Sequence, residues 1–150
     1  MKSETRKYEN IFWSFRKYIK ASLPLIRKYY NPQAIPKPTD TDTWIIFDLG
    51  ISDLDVFTRT VSRIHCVSRE DNDESELMGL VSDVVAIFDS PSSGKKYIPF
   101  YDKDTATLLG DIWIIGNPKV GPKVPYDTGI ISRAIEIHSN VKTDRNSSHA

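Results

Sequence analysis

Cysteine is nearly missing from this chain of 150 residues: Cys66 is the single one. It has no partner for an intrachain disulfide, so no disulfide framework holds the fold, and a reducing compartment is the expectation. No stretch of 18 or more apolar residues occurs, which excludes a membrane-spanning helix. The opening MKSETRKYENIFWSF has no uninterrupted apolar run, so it does not read as a secretory signal. There are no internal repeats and no low-complexity tracts. Net charge is absent as well, with 20 Lys and Arg against 20 Asp and Glu. A chain of this length reads as one domain that can bury a core without metals or disulfides.

The zero sum hides a split. Residues 1–38 carry nine Lys and Arg against two Glu, a net of +7, and residues 39–150 carry eleven against eighteen acids, a net of −7. A basic arm on an acidic body suits nucleic acid or an anionic membrane. It equally suits an arm of one copy lying on the acidic surface of the next, as in a ring of identical subunits.

Residues 5–29 predict a helix. Ile11, Phe15, Tyr18, Ile19, Leu25, Ile26 and Tyr29 form one apolar stripe, with Lys7, Arg16, Lys17, Lys20, Arg27 and Lys28 mostly off it. Pro24 predicts a kink or restart, with Ser22 as its cap. NPQAIPKPTDTDT (31–43) reads as an extended connector. Strands are predicted at 43–50 and 57–68, separated by a polar loop at 51–56. Leu77, Leu80, Val81, Val84, Val85 and Phe88 recur at i, i+3, i+4, i+7, i+8 and i+11, a second helix that Pro91 ends. Strands at 95–102, 108–116 and 129–141 follow, the first two as a hairpin around KDTAT. Residues 117–129, with three prolines and two glycines, read as a long loop. The expected fold is α+β: a mostly antiparallel sheet of about five strands with two helices on one face, in the order α-β-β-α-β-β-β. The domain spans 1–141 and 142–150 form a flexible tail.

The acidic run Glu70, Asp71, Asp73, Glu74 and Glu76 invites a metal reading. A calcium loop begun at Asp71 needs Gly at its sixth position and Glu at its twelfth, where Glu76 and Ser82 stand. A capping box fits better, with Asp73 as N-cap and Glu76 reaching back. His65 and Cys66 are adjacent on a strand and point to opposite faces. Cys66 reads as a small core residue, and pairing it with His138 as nucleophile and base has no local support. SPSSGKK (90–96) lacks the first glycine and the Ser or Thr of a phosphate loop, and follows a helix instead of preceding one. Asp53 and Asp55 read as solvated loop residues. No catalytic residue, metal ligand or cofactor is predicted. The basic helix has no DNA-reading motif after it, so a solvated or partner-facing helix is the better reading. Two strand faces mix charge with apolar residues: Arg59, Arg63 and His65 with Phe57, Val61 and Val67, and Arg133 with Ile131, Ile135 and Ile137. Both are expected to face water or another subunit.

Over residues 5–141 the chain resembles tail terminator proteins of long-tailed bacteriophages, which are related to tail-completion proteins. The resemblance rests on element order, on RIHCVSRED leading into the helix DESELMGLVSDVVAIFD, on IPFYD after it, and on the near-terminal strand TGIISRAIEIHSNVKTD. It implies a structural virion protein at the tail–neck junction, assembled in the host cytoplasm. Such a protein forms a hexameric ring that caps the tail tube, ends its polymerisation and joins the neck proteins. It implies no specific nucleic-acid or membrane partner. The predicted subunit or tube contacts are Arg16, Lys17, Lys20, Arg59, Arg63 and Arg133. A neck or head-completion connector would share these features. From other classes, a small-molecule enzyme would use Asp48, Cys66 or His138 in a deep pocket, and a DNA-binding accessory protein would use the basic helix.

Overall fold

The computed structural model describes residues 6–30, 42–53, 57–69, 74–89 and 96–143. The first helix, α1 (Lys7–Ser22), buries Ile11, Phe15 and Ile19 completely. Their spacing of four residues stacks them on one face. The helix stops short of the predicted 29. Pro24 offers no N–H and disfavours helical backbone at Leu23, so there is neither kink nor restart, and Ser22 is the last helical residue. Leu25, expected in the apolar stripe, is 97% exposed. Arg27–Tyr29 instead forms a short strand, β1, parallel to Trp44–Ile46.

The next two strands, β2 (Thr43–Asp53) and β3 (Phe57–Arg69), pair antiparallel from Thr43↔Ser68 to Asp53↔Thr58. Residues 51–53, predicted as loop, are thus strand; 31–41 and 54–56 lie outside the described residues. The second helix, α2 (Ser75–Phe88), is followed by β4 (Tyr97–Tyr101), β5 (Leu108–Val120), β6 (Val124–Asp127) and β7 (Ile130–Thr143). One sheet of seven strands results, in the order β1-β2-β3-β7-β5-β4, with β6 on β7. The α+β class and the two helices agree with the sequence reading, and the strand count exceeds the predicted five by two.

The extra pairing lies mostly where a loop was predicted. Residues 117–120 continue β5 past a register break between Ile115 and Lys119, and β6 pairs antiparallel with β7. Proline and glycine normally break ladders, but here each has a tolerated place. Gly116 has a φ of 69° beside the register break, a conformation glycine adopts without penalty. Pro118 lies within the break and Pro125 on β6, which pairs on one side only. The tail also begins later than predicted, since β7 runs to Thr143; residues 144–150 lie outside the description.

Both helices cover one face of the sheet. Ile11, Phe15 and Ile19 of α1 join Leu77, Leu80, Val81, Val84 and Phe88 of α2 over Ile45, Phe47, Ile64, Ile112 and Ile135. Full burial of each such side chain contributes about 1.5–3 kcal/mol. The Tyr18 hydroxyl links the helices by donating to the Ile87 carbonyl. The covered face of β3 also holds Thr58, Thr60 and Ser62, all buried, with Thr60 hydrogen-bonded to Ser139 of β7. Trp44, Ile46, Val67 and Ile130 form a second, smaller apolar cluster. By strand alternation Trp44 and Ile46 face away from the helices.

Two buried polar residues of α1 serve the edge of β4. The Ser14 hydroxyl accepts from the Tyr101 N–H at 2.9 Å and donates to the Asn10 carbonyl at 2.7 Å. The Asn10 Oδ1 accepts from the Lys103 N–H at 3.0 Å. Backbone donors that the β4 ladder leaves open are thus satisfied by the helix.

The start of α2 differs from the predicted capping box. Glu74, in left-handed backbone with φ 59°, occupies the N-cap and makes no capping hydrogen bond. Asp73 lies outside the described residues. The Glu74 carboxylate reaches Lys123 at 3.5 Å and Arg133 at 3.9 Å. Ion pairs thus tie the start of α2 to the β5–β6 connection and to β7.

Candidate interaction surface

Arg16, Lys17 and Lys20 lie on the outward side of α1, one helical turn apart or less. Where the chain returns after Pro24, it brings Arg27, Lys28 and Tyr30 alongside them. From the other edge of the sheet, the β4–β5 turn brings Asp102 and Lys103. Together with Trp13 these residues enclose an open groove of about 880 Å³. The turn is fixed locally: the Asp102 Oδ1 accepts from the N–H groups of Asp104 at 2.9 Å and Thr105 at 3.1 Å.

Six cations and one acid line this groove. Three of the cations lie over aromatic rings. The Arg16 guanidinium lies 4.9 Å from the Trp13 ring and 4.3 Å from the Tyr30 ring. The Lys17 ammonium is 4.1 Å from the Tyr101 ring and that of Lys103 is 5.2 Å from Trp13. Such contacts contribute about 0.5–1 kcal/mol each at exposed sites. Tyr30 is anchored in turn against Phe12 and Phe47. Burial pushes the Tyr30 hydroxyl above its ordinary pKa, and the Arg16 charge opposes that shift. Burial, and then the like charge of Lys20, lower the Lys28 ammonium below its ordinary value. Among the described residues, none of Arg16, Lys17, Lys20, Arg27 or Lys28 forms an ion pair. The site therefore offers a strong excess of positive charge, six cations against Asp102 among the lining residues.

Arg59 and Arg63 lie elsewhere, on the sheet face that the helices leave uncovered, and both are exposed. Register sets Asp48, Arg63, Glu136 and Lys119 side by side across four strands, an alternating row of charges. Arg63 is 3.3 Å from Glu136, whose other oxygen is 3.1 Å from the His138 Nε2. The hydrogen bond from His138 holds the Glu136 carboxyl below the ordinary carboxylate range, helped by Arg63 and Lys119. Burial lowers the His65 pKa on the same face, with Asp48 opposing and Arg63 reinforcing the shift. The face is accessible at Arg59 and Arg63, as expected, but not at Val67, which is buried in the smaller apolar cluster with Trp44 and Ile46.

Arg133 departs from that expectation. It sits opposite Cys66, on the helix-covered face. Ile131, Ile135 and Ile137 beside it are 8%, 0% and 1% exposed, so this is a core face. The charge is tolerated there because Arg133 donates to the Gly121 carbonyl at 3.0 Å and faces Glu74. Arg133 holds the start of α2 to the β5–β6 segment.

The residues of the enzyme reading do not converge. Cys66 is buried under the helices, and burial pushes its thiol up to about 12. His138 is in register with Val61, and Asp48 with Arg63, on the opposite face. Among the described residues, no group of three or more His, Cys, Asp or Glu side chains could hold a metal ion. No described helix is long and apolar enough to cross a membrane.

The basic helix was legible in the sequence, but the groove was not. Trp13, Arg27, Lys28, Tyr30 and Lys103 were missed, because the groove needs the helix stop at Pro24 and the approach of a turn some eighty residues away. The interleaving of aromatic and basic residues in WSFRKY and RKYY is the signal that points to it.

The chain matches no protein-family model and no curated protein. A solved structure that bears no functional name overlays on it with a TM-score of 0.64 at 10% sequence identity. The overlay covers 90% of this chain and 95% of the other. At that identity the likeness concerns the fold alone.

Proposed function

We propose that this protein is a structural subunit of a bacteriophage tail, acting at the junction of tail and neck. In this reading it assembles into a ring, a hexamer by the resemblance, that caps the tail tube, ends tube polymerisation and offers a surface to the neck proteins. The observation that carries the reading is the segregation of charge: a groove lined by six cations and one acid, five of those cations without an ion pair among the described residues, on a chain of zero net charge. That groove supports a contact with an acidic protein surface. A contact between unlike surfaces of identical copies propagates head to tail and can close into a ring.

Arg16, Lys17 and Lys20 are the subunit contacts in this reading. Arg59 and Arg63, on the uncovered sheet face, suit a second surface toward the tube or the neck. Arg133 acts within the subunit, at the start of α2. No catalytic step and no cofactor enters the scheme.

The test joins two measurements. Light scattering after size exclusion, across a concentration series, is expected to show mass rising toward a closed ring. Co-sedimentation with isolated, uncapped tail tubes is expected to show binding at tube ends and arrested elongation. Failure to bind tubes or to arrest their growth would overturn the proposal.

A further inference from the structure

Two blocks of the chain are strictly of one sign. Residues 10–39 hold six Lys and Arg and no acid; residues 70–94 hold seven acids and no Lys or Arg. The groove draws five of its cations from the first block, and α2 belongs to the second. The two helices are packed together, yet among the described residues no ion pair joins the two blocks. Opposite charges segregated this way serve contacts between molecules.

Groove size and chemistry narrow the occupant. About 880 Å³ is far more than one small anion fills. Arg16 covers Trp13 and Tyr30, and Lys17 covers Tyr101, so these rings offer no bare platform for stacking bases. The exposed Pro24 and Leu25 add an apolar lip, which suits a protein surface. Beyond the groove the acidic body repels an extended polyanion. The complement is present on the chain itself. Glu76 and Asp83 on the outward side of α2, and Asp89 just past its end, are exposed, among the small exposed residues Gly79, Ser82 and Ala86 and the exposed Met78. A Cβ added at Gly79 would meet nothing within 4 Å, so long cationic side chains can approach closely there.

We infer that the basic groove of one copy receives the acidic outer face of α2 of a second copy. This rests on the ring reading and deepens it by naming the contact that would build the ring. Because the two surfaces differ, each copy has one of each, and association proceeds in one direction around an axis.

The test uses the full chain and two variants: R16E with K20E, and D83K with D89K. Wild type is expected to gain mass with concentration and to lose association between about 0.05 M and about 0.5 M salt, as the Debye length shrinks. Each variant alone is expected to associate at least tenfold more weakly, with an unchanged circular dichroism spectrum. An equimolar mixture of the two is expected to recover association, since each supplies the complement of the other. Retention of wild-type association by either variant, or no recovery on mixing, would overturn the contact. So would a salt-insensitive assembly, which needs no variant to detect. A wild type that stays monomeric, or that binds a single-stranded oligonucleotide without self-association, would overturn it too. Co-sedimentation with tail tubes is read separately, so a failed contact and a failed tail function give different results.

Discussion

The two helices perform the same task under the sheet and differ in almost everything else. The buried face of α2 is wholly apolar: Leu77, Leu80, Val81, Val84 and Phe88. That of α1 mixes Ile11, Phe15 and Ile19 with Asn10 and Ser14. The outer face of α2 carries acids and small residues around an exposed Met78; that of α1 is basic and aromatic. The difference teaches where each helix is fixed. α2 is held by dispersion and burial against the middle of the sheet. α1 is held at an edge, where strand donors need partners that only polar side chains provide.

Removing apolar volume from α2 tests this most severely. Phe88→Ala leaves a cavity at a fully buried site next to Tyr18, and a loss of about 3–5 kcal/mol in urea unfolding is expected. A loss below 1 kcal/mol would mean that α2 is not anchored by its apolar face. The polar anchoring of α1 carries a smaller effect. Ser14→Ala leaves the Tyr101 N–H without its acceptor, and a loss of about 1–3 kcal/mol is expected. Hydrogen exchange is the sharper readout: faster exchange at Tyr101, with the β3–β7 amides unchanged. Uniform acceleration across the sheet would remove the distinction between the helices.

Cys66, in the core beneath both helices, gives a pH test. Its thiol is raised from 9.0 to about 12 by burial, so the folded state holds the proton longer than the unfolded one. The contribution is fully present below pH 9 and is lost as pH rises toward about 12. Each pH unit in that window lowers stability by about 1.4 kcal/mol from this group. The difference between wild type and Cys66→Ala isolates it, and parallel pH profiles for the two would refute it. The smallest effects lie on the surfaces. Arg63→Ala is expected to change stability by less than about 1 kcal/mol, as exposed ion pairs usually do.

How far the sequence could be read follows the same division. The apolar period of α2 was unmistakable because nothing interrupts it, and its five core residues sit where the spacing put them. The last third of the predicted first helix was wrong because Pro24 ends the helix outright, while the apolar spacing runs on into β1. Pro118 and Pro125 concealed a strand extension and a hairpin, since tolerance depends on which edge is unpaired, and that is settled by tertiary pairing. The N-cap falls at Glu74, one residue past the predicted Asp73, and its carboxylate meets Lys123 and Arg133, contacts that no local pattern announces. Of the six predicted contact residues, Arg16, Lys17 and Lys20 come together in one groove, Arg59 and Arg63 share the uncovered face, and Arg133 belongs to neither. Side-chain alternation assigned the faces within each strand, but which face the helices cover is a property of the whole sheet.

The cation cover on Trp13 has an optical consequence. The chain has three tryptophans, and each sits in different surroundings. Trp44 is fully buried and should emit in the blue. Trp113 stacks on Tyr97 on the uncovered face, ring centres 6.2 Å apart. Trp13 lies beneath Arg16 and Lys103 at the groove. A molecule that draws those two cations away changes the field over the Trp13 indole alone, so its fluorescence serves as a built-in gauge of groove occupancy that requires no label.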